Sequence, residues 1–417
     1  MRIRIHRGAH EIGGNCIEVE ASAGGRIVLD LGRPLSAGWD DDVALPSVAG
    51  LGGGDPSLLG ILISHPHLDH FGLLAGVAPR VPVWIGREAA SVLDAAAFFT
   101  GGRAPRPAAG FLQHGVRFEL GPFAITPFLN DHSAFDAYSL LIEADGRRVF
   151  YTGDLRAHGR KASCFEALVA DPSDSIDALL MEGTHVRADS ELDDETFETE
   201  ADLEARFVDL CARTAGAVVV CGSAQNIDRL VTVFRAGRRS GRETVIDLYG
   251  ATVAAAVRPT IPQPGYDGLH VYVPNRQRVA VKRAGEFWRT RAVAGVRVFP
   301  EELAAEPGRF VLHIPTSTVP ELLRCGALDP TGTVVWSMWE GYLGRPNGAS
   351  LVRTLAEREV PFEVIHTSGH ASVPDLRRLV AAADPGAVVP IHSEATNRFA
   401  DLFPNVRQHT DGEWWTV

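Results

Sequence analysis

Residues 64–70 read Ser-His-Pro-His-Leu-Asp-His and place three histidines and one aspartate directly after a short apolar run. A loop that follows a buried strand can project several side chains toward one point, because the strand holds the start of the loop rigid. Imidazole and carboxylate are the ligand types of zinc and related divalent metals. His65 and His67 alternate along an extended loop and could face one ion, whereas Asp69 and His70 start a helical turn and could face a second. A polar loop with incidental histidines is the alternative, and it accounts for this spacing less well than a metal site does.

Length and composition indicate a globular protein with more than one domain. The chain has 417 residues, of which 45% are hydrophobic, and two domains of ordinary size fit this length better than one. No apolar run reaches the roughly 18 residues that a membrane span requires, and the first residues contain no signal-peptide core. The five cysteines are far apart and form no Cys-x-x-Cys pair, which predicts a reducing, cytoplasmic environment. The net charge of −12 argues against a nonspecific nucleic-acid coat protein, but it does not exclude an enzyme whose cleft is locally positive.

Short apolar runs that are typical of buried strands alternate with helical patterns, which predicts a layered α/β protein. The first series consists of strands at 26–30, 60–64, 148–152 and 178–181, with a helix at 87–98. An acidic stretch at 189–204 opens a second series, with strands at 217–221, 244–248 and 309–313 and a helix at 226–236. Histidines of the metal-binding type return only after this second series. We therefore expect a first domain that is interrupted by a second, with boundaries at 1–186, 187–345 and 346–417.

One loop cannot complete two coordination spheres, so further ligands are expected at the ends of other strands. Three candidates follow strand-like runs in chain order: His132, Asp154 and His392. Asp154 could bridge two ions. Asp30, which ends the strand predicted at 26–30, is expected to orient the first loop rather than to bind metal. A single histidine or aspartate at a strand end is more often structural, but the ordered set favours a common metal site.

The motifs Leu-Asp-Leu-Gly, Ser-His-Pro-His-Leu-Asp-His, Asp-His-Ser and Thr-Gly-Asp, followed by a late histidine, resemble the motif series of the metallo-β-lactamase fold. The second α/β series, with Gly-Ser-Ala-Gln-Asn-Ile-Asp-Arg at 222–229, is similar to the β-CASP insertion of nucleic-acid-processing members. Trp-Glu-Gly-Tyr-Leu at 339–343 resembles the segment where such a chain returns to its first domain. The likeness covers nearly the whole chain and is nearest to the ribonuclease J-like RNA-processing enzymes. It implies an αββα sandwich interrupted by an α/β domain.

The resemblance also implies roles for particular residues. Two ligand triads and one bridging residue are implied: His65, His67 and His132; Asp69, His70 and His392; and Asp154. Glu182 would orient His370, and this pair could protonate a leaving oxygen as a general acid, with Asp69 as a further catalytic residue. The two ions would be Zn²⁺, with Mn²⁺ as the alternative, because both bind His/Asp sites.

Substrate contacts are expected near His370 and in the insertion. Ser372 is predicted to cap a helix at 375–383, and the N-terminus of a helix suits a phosphate oxygen. Ser368 and Ser372 could add hydroxyl donors. Asn226 and Arg229 would support a groove between the domains or its phosphate contacts. A nearby set of arginines is either a basic stripe or a solvated helix end: Arg235, Arg238, Arg239 and Arg242.

The predicted function is a two-metal ribonuclease, in which an activated water attacks phosphodiester bonds of single-stranded RNA internally or from the 5′ end. The resemblance favours RNA because RNA-processing members have histidine at the position of His392. The region 313–318 lacks the Gly-Ser-Gln-Gly-Glu-like loop associated with 5′-phosphate binding, which argues against a strict 5′-monophosphate requirement. The chain stops soon after the last motif, so we expect no C-terminal dimerisation domain, although another route to an oligomer stays open, and no membrane partner. The alternatives are a DNA nuclease of the same family, a small-molecule metallo-hydrolase, and a binding module with an inactive site.

Overall fold

The computed structural model describes residues 1–38, 41–102, 108–173, 175–189 and 194–417. The chain divides into two compact units, of which unit 1 comprises 1–93, 105–197 and 369–417, and unit 2 comprises 94–104 and 198–368. The predicted domain boundaries at 187 and 345 stay predictions. Part of the predicted acidic stretch, 190–193, lies outside the described residues.

Unit 1 contains two β-sheets. The strands of the first sheet are β1 (Arg2–Arg7), β2 (Cys16–Glu20), β3 (Arg26–Leu29), β4 (Leu58–Leu62), β5 (Val83–Gly86), β6 (Gly110–Leu112) and β20 (Trp414–Thr416). They lie in the order β20-β1-β2-β3-β4-β5-β6. The strands of the second sheet are β7 (Phe118–Leu120), β8 (Phe123–Leu129), β9 (Tyr138–Ala144), β10 (Arg147–Tyr151), β11 (Ala178–Glu182) and β19 (Val388–Ile391). Their order is β19-β11-β10-β9-β8-β7.

The two sheets of unit 1 pack face to face. Ile5 and Ile17 of the first sheet share one buried core with Ile142 and Leu180 of the second. Helix α2 (Arg87–Thr100) contributes to a core on the outer face of the first sheet. Helices α3 (Ala162–Ala170), α12 (Val373–Ala383) and α13 (Phe399–Leu402) cover the outer face of the second. These four layers confirm the predicted αββα sandwich.

Unit 2 is built on a seven-stranded sheet in which every pair of neighbouring strands is parallel. Its strands are β12 (Val218–Cys221), β13 (Glu243–Asp247), β14 (Leu269–Tyr272), β15 (Arg297–Val298), β16 (Phe310–Ile314), β17 (Thr333–Trp336) and β18 (Phe362–Val364). They lie in the order β15-β14-β13-β16-β12-β17-β18. Its helices are α4 (Glu200–Arg213), α5 (Ile227–Ser240), α6 (Leu248–Ala256), α7 (Asn275–Ala284), α8 (Trp288–Ala292), α9 (Pro300–Ala305), α10 (Val319–Cys325) and α11 (Pro346–Glu357).

Strand β12 shows why this sheet is covered on both faces. Val218 and Val220 pack with α4 and α5, whereas Val219 and Cys221 pack with α10 and α11. A strand that is buried on both faces needs a continuous apolar run, and Val-Val-Val-Cys supplies one. The α/β class predicted for the interrupting segment is therefore confirmed.

The predicted strands lie within two residues of their observed bounds, but helix α5 was predicted too short. It was expected to end at residue 236 and ends at Ser240, because Gly241 adopts a left-handed conformation (φ 72°) that terminates the helix there. In the part of the chain that the structure describes, no helix has both the length and the apolar character that crossing a bilayer requires.

Candidate metal centre

The predicted histidine loop connects β4 to the short helix α1 (Leu68–Phe71). The backbone after β3 runs beside this helix, with the Leu31 amide donating to the His70 carbonyl at 2.7 Å. At Gly32 the two segments approach so closely that a Cβ atom would lie 1.6 Å from the carbonyl oxygen of Asp69. Glycine is therefore required at this position, and the close approach fixes the helix that carries Asp69 and His70.

The first cluster of possible ligands joins the loop to two other strand ends. One ligand atom from each of His65, His67, His132 and Asp154 lies within 4.8 Å of the others. His132 Nε2 is 3.1 Å from His67 Nδ1, and His65 Nε2 is 3.5 Å from Asp154 Oδ2. His132 Nδ1 donates to the carbonyl of Gly369 at 2.5 Å, which turns Nε2 toward the cluster.

The second cluster shares Asp154 with the first. Asp69, His70, Asp154 and His392 each offer a ligand atom within the same 4.8 Å limit. His70 Nε2 is 3.2 Å from Asp154 Oδ2, and His392 Nε2 is 3.3 Å from Asp69 Oδ2. The structure thus brings together all seven residues that the sequence predicted as ligands, with Asp154 in the position of a bridge.

Several polar atoms of these clusters have no hydrogen-bond partner among the described residues. They are His65 Nε2, His70 Nε2 and both carboxylate oxygens of Asp154, and all are buried. Buried polar atoms are almost always paired, because leaving them unpaired costs free energy. Imidazole nitrogens and carboxylate oxygens that face one another across a few ångströms fit a divalent cation, which would satisfy them together.

Asp30 supports the second cluster without offering it a ligand atom. Its carboxylate accepts from the Ser64 amide and hydroxyl, both at 2.7 Å, and from the Tyr151 hydroxyl at 2.5 Å. Asp30 Oδ2 also lies 2.7 Å from His70 Nδ1, which leaves His70 Nε2 to face the cluster. This is the orienting position that the sequence analysis expected. Asp30 and His392 both adopt positive φ angles, 57° and 51°, and such strained conformations concentrate at functional sites.

Burial and charge hold the first cluster in the form that binds cations, whereas the charged form of His70 in the second cluster is favoured and would release a proton when an ion binds. Burial lowers the pKa of His65 and His132, and it lowers the pKa of His67 to about 4. Burial raises the pKa of Asp154, but the surrounding histidines outweigh it and hold that pKa well below its usual value. Burial likewise opposes the charged form of His70, whereas Asp154 and Asp30 raise its pKa well above the ordinary range. Neutral imidazoles and ionised carboxylates are the forms that ligate a metal.

Two family models match two separate parts of the chain. One, described as a beta-lactamase superfamily domain, matches residues 39–220, and the other, a Zn-dependent metallo-hydrolase RNA specificity domain, matches 360–409. Ribonuclease J of Sinorhizobium meliloti is 23% identical over 375 residues, which are 85% of this chain and 61% of that protein. An RNase J-like protein of Methanocaldococcus jannaschii is 24% identical over 198 residues, 44% of this chain and 42% of that protein.

Both matches and both relatives support a metallo-β-lactamase fold of the β-CASP, ribonuclease J-like kind for this chain. The recognition made from the sequence is confirmed. A crystal structure of a protein of unknown function from Enterococcus faecalis V583 has the same fold, with a TM-score of 0.79 and 19% identity over 100% of this chain and 99% of that one. The chain spans 61% and 42% of the lengths of the two named relatives.

The acid–histidine pair expected of a β-CASP protein lies beside the two clusters. Glu182 ends β11, and both of its carboxylate oxygens are 3.2 Å from His370 Nδ1. Glu182 Oε1 also accepts from the Leu155 amide at 3.0 Å, so the carboxylate is held in place. Burial opposes a charged His370, but Glu182 and Asp154 together raise its pKa to about 9. His370 therefore carries a second proton at neutral pH in this arrangement.

Two of the predicted substrate contacts have other partners. The Ser372 hydroxyl caps α12, accepting from the Asp375 amide at 3.2 Å and donating to the Asp375 carboxylate at 2.7 Å. Ser372 is the predicted cap, but the helix begins at Val373, two residues earlier than expected. Asn226 caps α5 by accepting from the Arg229 amide at 3.0 Å. Ser368 is half-buried and belongs to unit 2.

Arg229 is fully buried inside unit 2. Its guanidinium donates to Glu200 Oε1 at 3.1 Å and to the Ser337 carbonyl at 3.2 Å, and it also contacts the Ser337 hydroxyl. Direct contact with a substrate phosphate, one of the two roles predicted for this residue, does not fit a guanidinium that faces internal acceptors. The supporting role is the one that the geometry favours.

Thr184 is a further residue of the site, and the motifs of the sequence did not predict it. Its Oγ1 lies 3.1 Å from His370 Nδ1 and 2.9 Å from His392 Nδ1, so one hydroxyl links the two late histidines. Tyr151 was missed as well, although its hydroxyl reaches Asp30. The signal for Thr184 was its place two residues after Glu182, where the chain leaves a strand and alternate side chains share a face.

Proposed function

We propose that this chain is a divalent-metal-dependent ribonuclease that hydrolyses phosphodiester bonds in single-stranded RNA. The observation that carries the proposal is the His370–Glu182 pair placed beside two ligand clusters that share Asp154. The likeness to a ribonuclease J supports RNA as the substrate. The segment 360–409, matched by the RNA specificity model, contains both His370 and His392.

The two overlapping clusters would hold two divalent ions, Zn²⁺ by the family description and ligand types, with Mn²⁺ as the alternative. His65, His67 and His132 would complete one set, and Asp69, His70 and His392 the other. When bound, such ions lower the pKa of water and stabilise negative charge on phosphoryl oxygens. Asp30 and Thr184 would fix the histidines whose Nδ1 atoms they contact, as outer residues do in metal sites.

His370 would act as the general acid. Its Nδ1–H donates toward the Glu182 carboxylate, which leaves the proton on Nε2 as the one that can be transferred to the departing 3′ oxygen. Thr184 lies on the same nitrogen side and limits rotation of the ring. Asp69 stays a proposed catalytic residue through its contact with His392 Nε2. We also propose a cytoplasmic location, because the five cysteines are free thiols.

The decisive experiment offers one labelled strand as RNA and as DNA of identical sequence, with 5′-hydroxyl, monophosphate or triphosphate ends. Wild type is compared with His370→Ala and Glu182→Gln, and the metal content of each protein is measured by mass spectrometry. Loss of a general acid predicts a fall of roughly 10²–10⁴-fold in RNA cleavage by His370→Ala at unchanged metal content. The product ladder separates internal cuts from end-wise attack.

Three results would contradict the proposal. Cleavage by His370→Ala at the wild-type rate would remove the assigned acid. Equal cutting of DNA and RNA would favour the DNA nuclease alternative. Hydrolysis of a small phosphodiester or thioester by a metal-loaded protein that cuts neither polymer would favour a small-molecule hydrolase.

A further inference from the structure

A strongly positive segment lies in unit 2, on helices α7 and α8 and the residues that follow them. Residues 275–299 contain seven Arg or Lys and one Glu, whereas the whole chain has a net charge of −12. Five of these cations are exposed: Arg276, Arg278, Lys282, Arg283 and Arg291. We call these five residues together with Trp288 the α7–α8 patch. None of its charges was singled out by the motifs of the sequence.

The exposed cations of the α7–α8 patch are not neutralised by acidic neighbours. Within the described ranges no carboxylate lies within 4.0 Å of any of the five, and Arg278 donates only to the Asn275 side chain, at 3.2 Å. Arg239 and Arg242, in the other arginine set, behave differently. Arg239 pairs with Glu204 at 3.0 Å, and Arg242 donates to backbone carbonyls, among them that of Gly216 at 2.7 Å.

Two of the four exposed cations of helix α7 lie directly opposite its buried side. Val281 is buried and faces the core, while Arg276, Val279 and Arg283 are exposed at positions that share the opposite face. A solvated helix end would account for cations in the last turn, because they complement the helix dipole. It does not account for the exposed apolar surface that adjoins them.

Exposed aromatic side chains adjoin these cations on α8. Trp288 is 57% exposed and Phe287 is 48% exposed. The Arg289 guanidinium lies 4.4 Å from the Trp288 ring centroid and 4.2 Å from that of Phe98. Glu286 pairs with Arg289 at 2.6 Å, so the guanidinium is held and Trp288 is supported at the surface. Large exposed aromatic groups of this kind mark interaction sites.

We propose that the α7–α8 patch binds single-stranded nucleic acid. Unpaired Arg and Lys side chains attract the phosphates of a polyanion, and an exposed indole stacks on a base of any identity. Helices α7 and α8 contact each other, so the cations and the indole lie on neighbouring helices, which is the combination that a flexible single strand requires. The inference stands on unit 2 alone and rests on the proposed function only for the choice of RNA over DNA.

The test measures binding of a fluorescent 20-nucleotide oligouridylate by anisotropy at several salt concentrations. All variants are made in His370→Ala protein, and a gel confirms that the strand stays intact. The patch variant is Arg278→Ala/Lys282→Ala/Arg283→Ala. Its matched control, Arg324→Ala/Arg353→Ala/Arg358→Ala, removes the same charge from exposed arginines elsewhere in unit 2.

Each phosphate contact with a single strand contributes about 0.7 to the slope of the logarithm of the association constant against the logarithm of the salt concentration. Loss of three contacts in the patch variant should therefore make this slope shallower by about 2. The control variant should keep the original slope. Trp288→Ala should weaken binding about tenfold at every salt concentration with the slope unchanged, and Trp288→Phe should retain most of the affinity, because a base still has a ring to stack on. Circular dichroism and melting temperature verify that each variant is folded.

Equal losses in the patch and control variants would overturn the proposal, because they would show a diffuse effect of charge. Unchanged binding in the patch variant and in Trp288→Ala would do the same. If the patch variant altered the sedimentation coefficient while binding stayed intact, the patch would be a protein interface instead. Wild-type cleavage is assayed separately with metal. Binding through the patch without RNA cleavage would contradict only the proposed ribonuclease activity. Cleavage with binding that does not depend on the patch would contradict only the proposed role of the patch.

Discussion

The two units each contain a buried polar cluster. The clusters differ in how many of their polar atoms have hydrogen-bond partners within the protein. In unit 1, His65, His70 and Asp154 leave buried nitrogen and oxygen atoms without hydrogen-bond partners among the described residues. In unit 2, Arg229 and Glu200 pair with each other, and Thr232 donates to Glu200 at 2.6 Å. Each cluster includes residues that the sequence marked as functional, and in unit 2 that residue is Arg229.

The contrast indicates that several unpaired metal-ligating atoms facing one another, rather than burial or charge alone, distinguish a binding site from a structural network. A buried ion pair with its lone pairs satisfied needs nothing more from outside. A buried carboxylate that faces only ring nitrogens is stable when a cation completes it. The predictions below test this distinction, beginning with the largest expected effect.

Asp154→Asn should break the unit 1 cluster, because Asp154 alone belongs to both ligand sets. We expect metal content to fall below the proposed two ions per chain and RNA cleavage to fall by at least about 10³-fold, the scale of a lost interaction worth several kcal/mol in the transition state. Mass spectrometry of the purified protein and the cleavage assay measure the two effects. Asp171→Asn, an exposed aspartate of the same unit, is the control and should change neither.

Arg229→Met should destabilise unit 2 without affecting the metal content of unit 1. The substitution leaves Glu200 as a buried carboxylate without its cation, a change that typically costs about 3–5 kcal/mol. Urea unfolding monitored by tryptophan fluorescence gives the change in free energy of unfolding. The double variant Glu200→Gln/Arg229→Met should recover part of the loss. Full stability of the single variant would show that the pair is not a closed structural network.

Asp30→Asn should weaken metal binding while every proposed ligand remains. The amide would present an N–H group toward His70 Nδ1 in place of an acceptor, which disfavours the tautomer that faces the cluster. Substitutions of such outer partners usually cost about 10–100-fold in metal affinity. Competition with a chromogenic chelator measures this affinity. An unchanged affinity would mean that Asp30 serves only the packing of the loop.

The lowered pKa of His313 predicts that the stability of unit 2 depends on pH, and this dependence should not require metal. Burial, followed by the charge of Arg229, lowers the pKa of His313 to about 4. Unfolding returns it to about 6.5, so the unfolded state binds the extra proton first as pH falls, and stability is lost between about pH 6.5 and 4. The contribution amounts to roughly 2 kcal/mol between pH 7 and 5. His313→Met should remove this part of the slope in urea unfolding, and a slope equal to that of wild type would contradict the assignment.

Much of the fold and of the candidate site could be predicted from the sequence, because both depend on local patterns. The apolar runs predicted the bounds of β4, β10 and β12 to within two residues. The ligand set could be predicted because each member follows a strand in a recognisable short motif. His132 and Asp154 are examples.

What could not be predicted depends on contacts between distant segments. Thr184 is not itself part of a metal-ligand motif. Its hydroxyl has a role in the site because His370 and His392, which lie far along the chain, contact it in the fold. Arg229 was expected near substrate because the motif suggested a phosphate contact. Its partners, Glu200 and Ser337, are 29 and 108 residues away in the sequence, and no local pattern predicts these contacts.

The contact between Asp69 and His392 has a consequence for how the protein is made, because 323 residues separate the two. Chains are synthesised at about 5–20 residues per second, so His392 is added roughly 16–65 s after the first loop. All of unit 2 from residue 198 to 368 is translated in that interval. The full ligand set can therefore assemble only after unit 2 and residue 392 have been translated, so metal binding by all seven residues follows the synthesis of unit 2 and does not guide it.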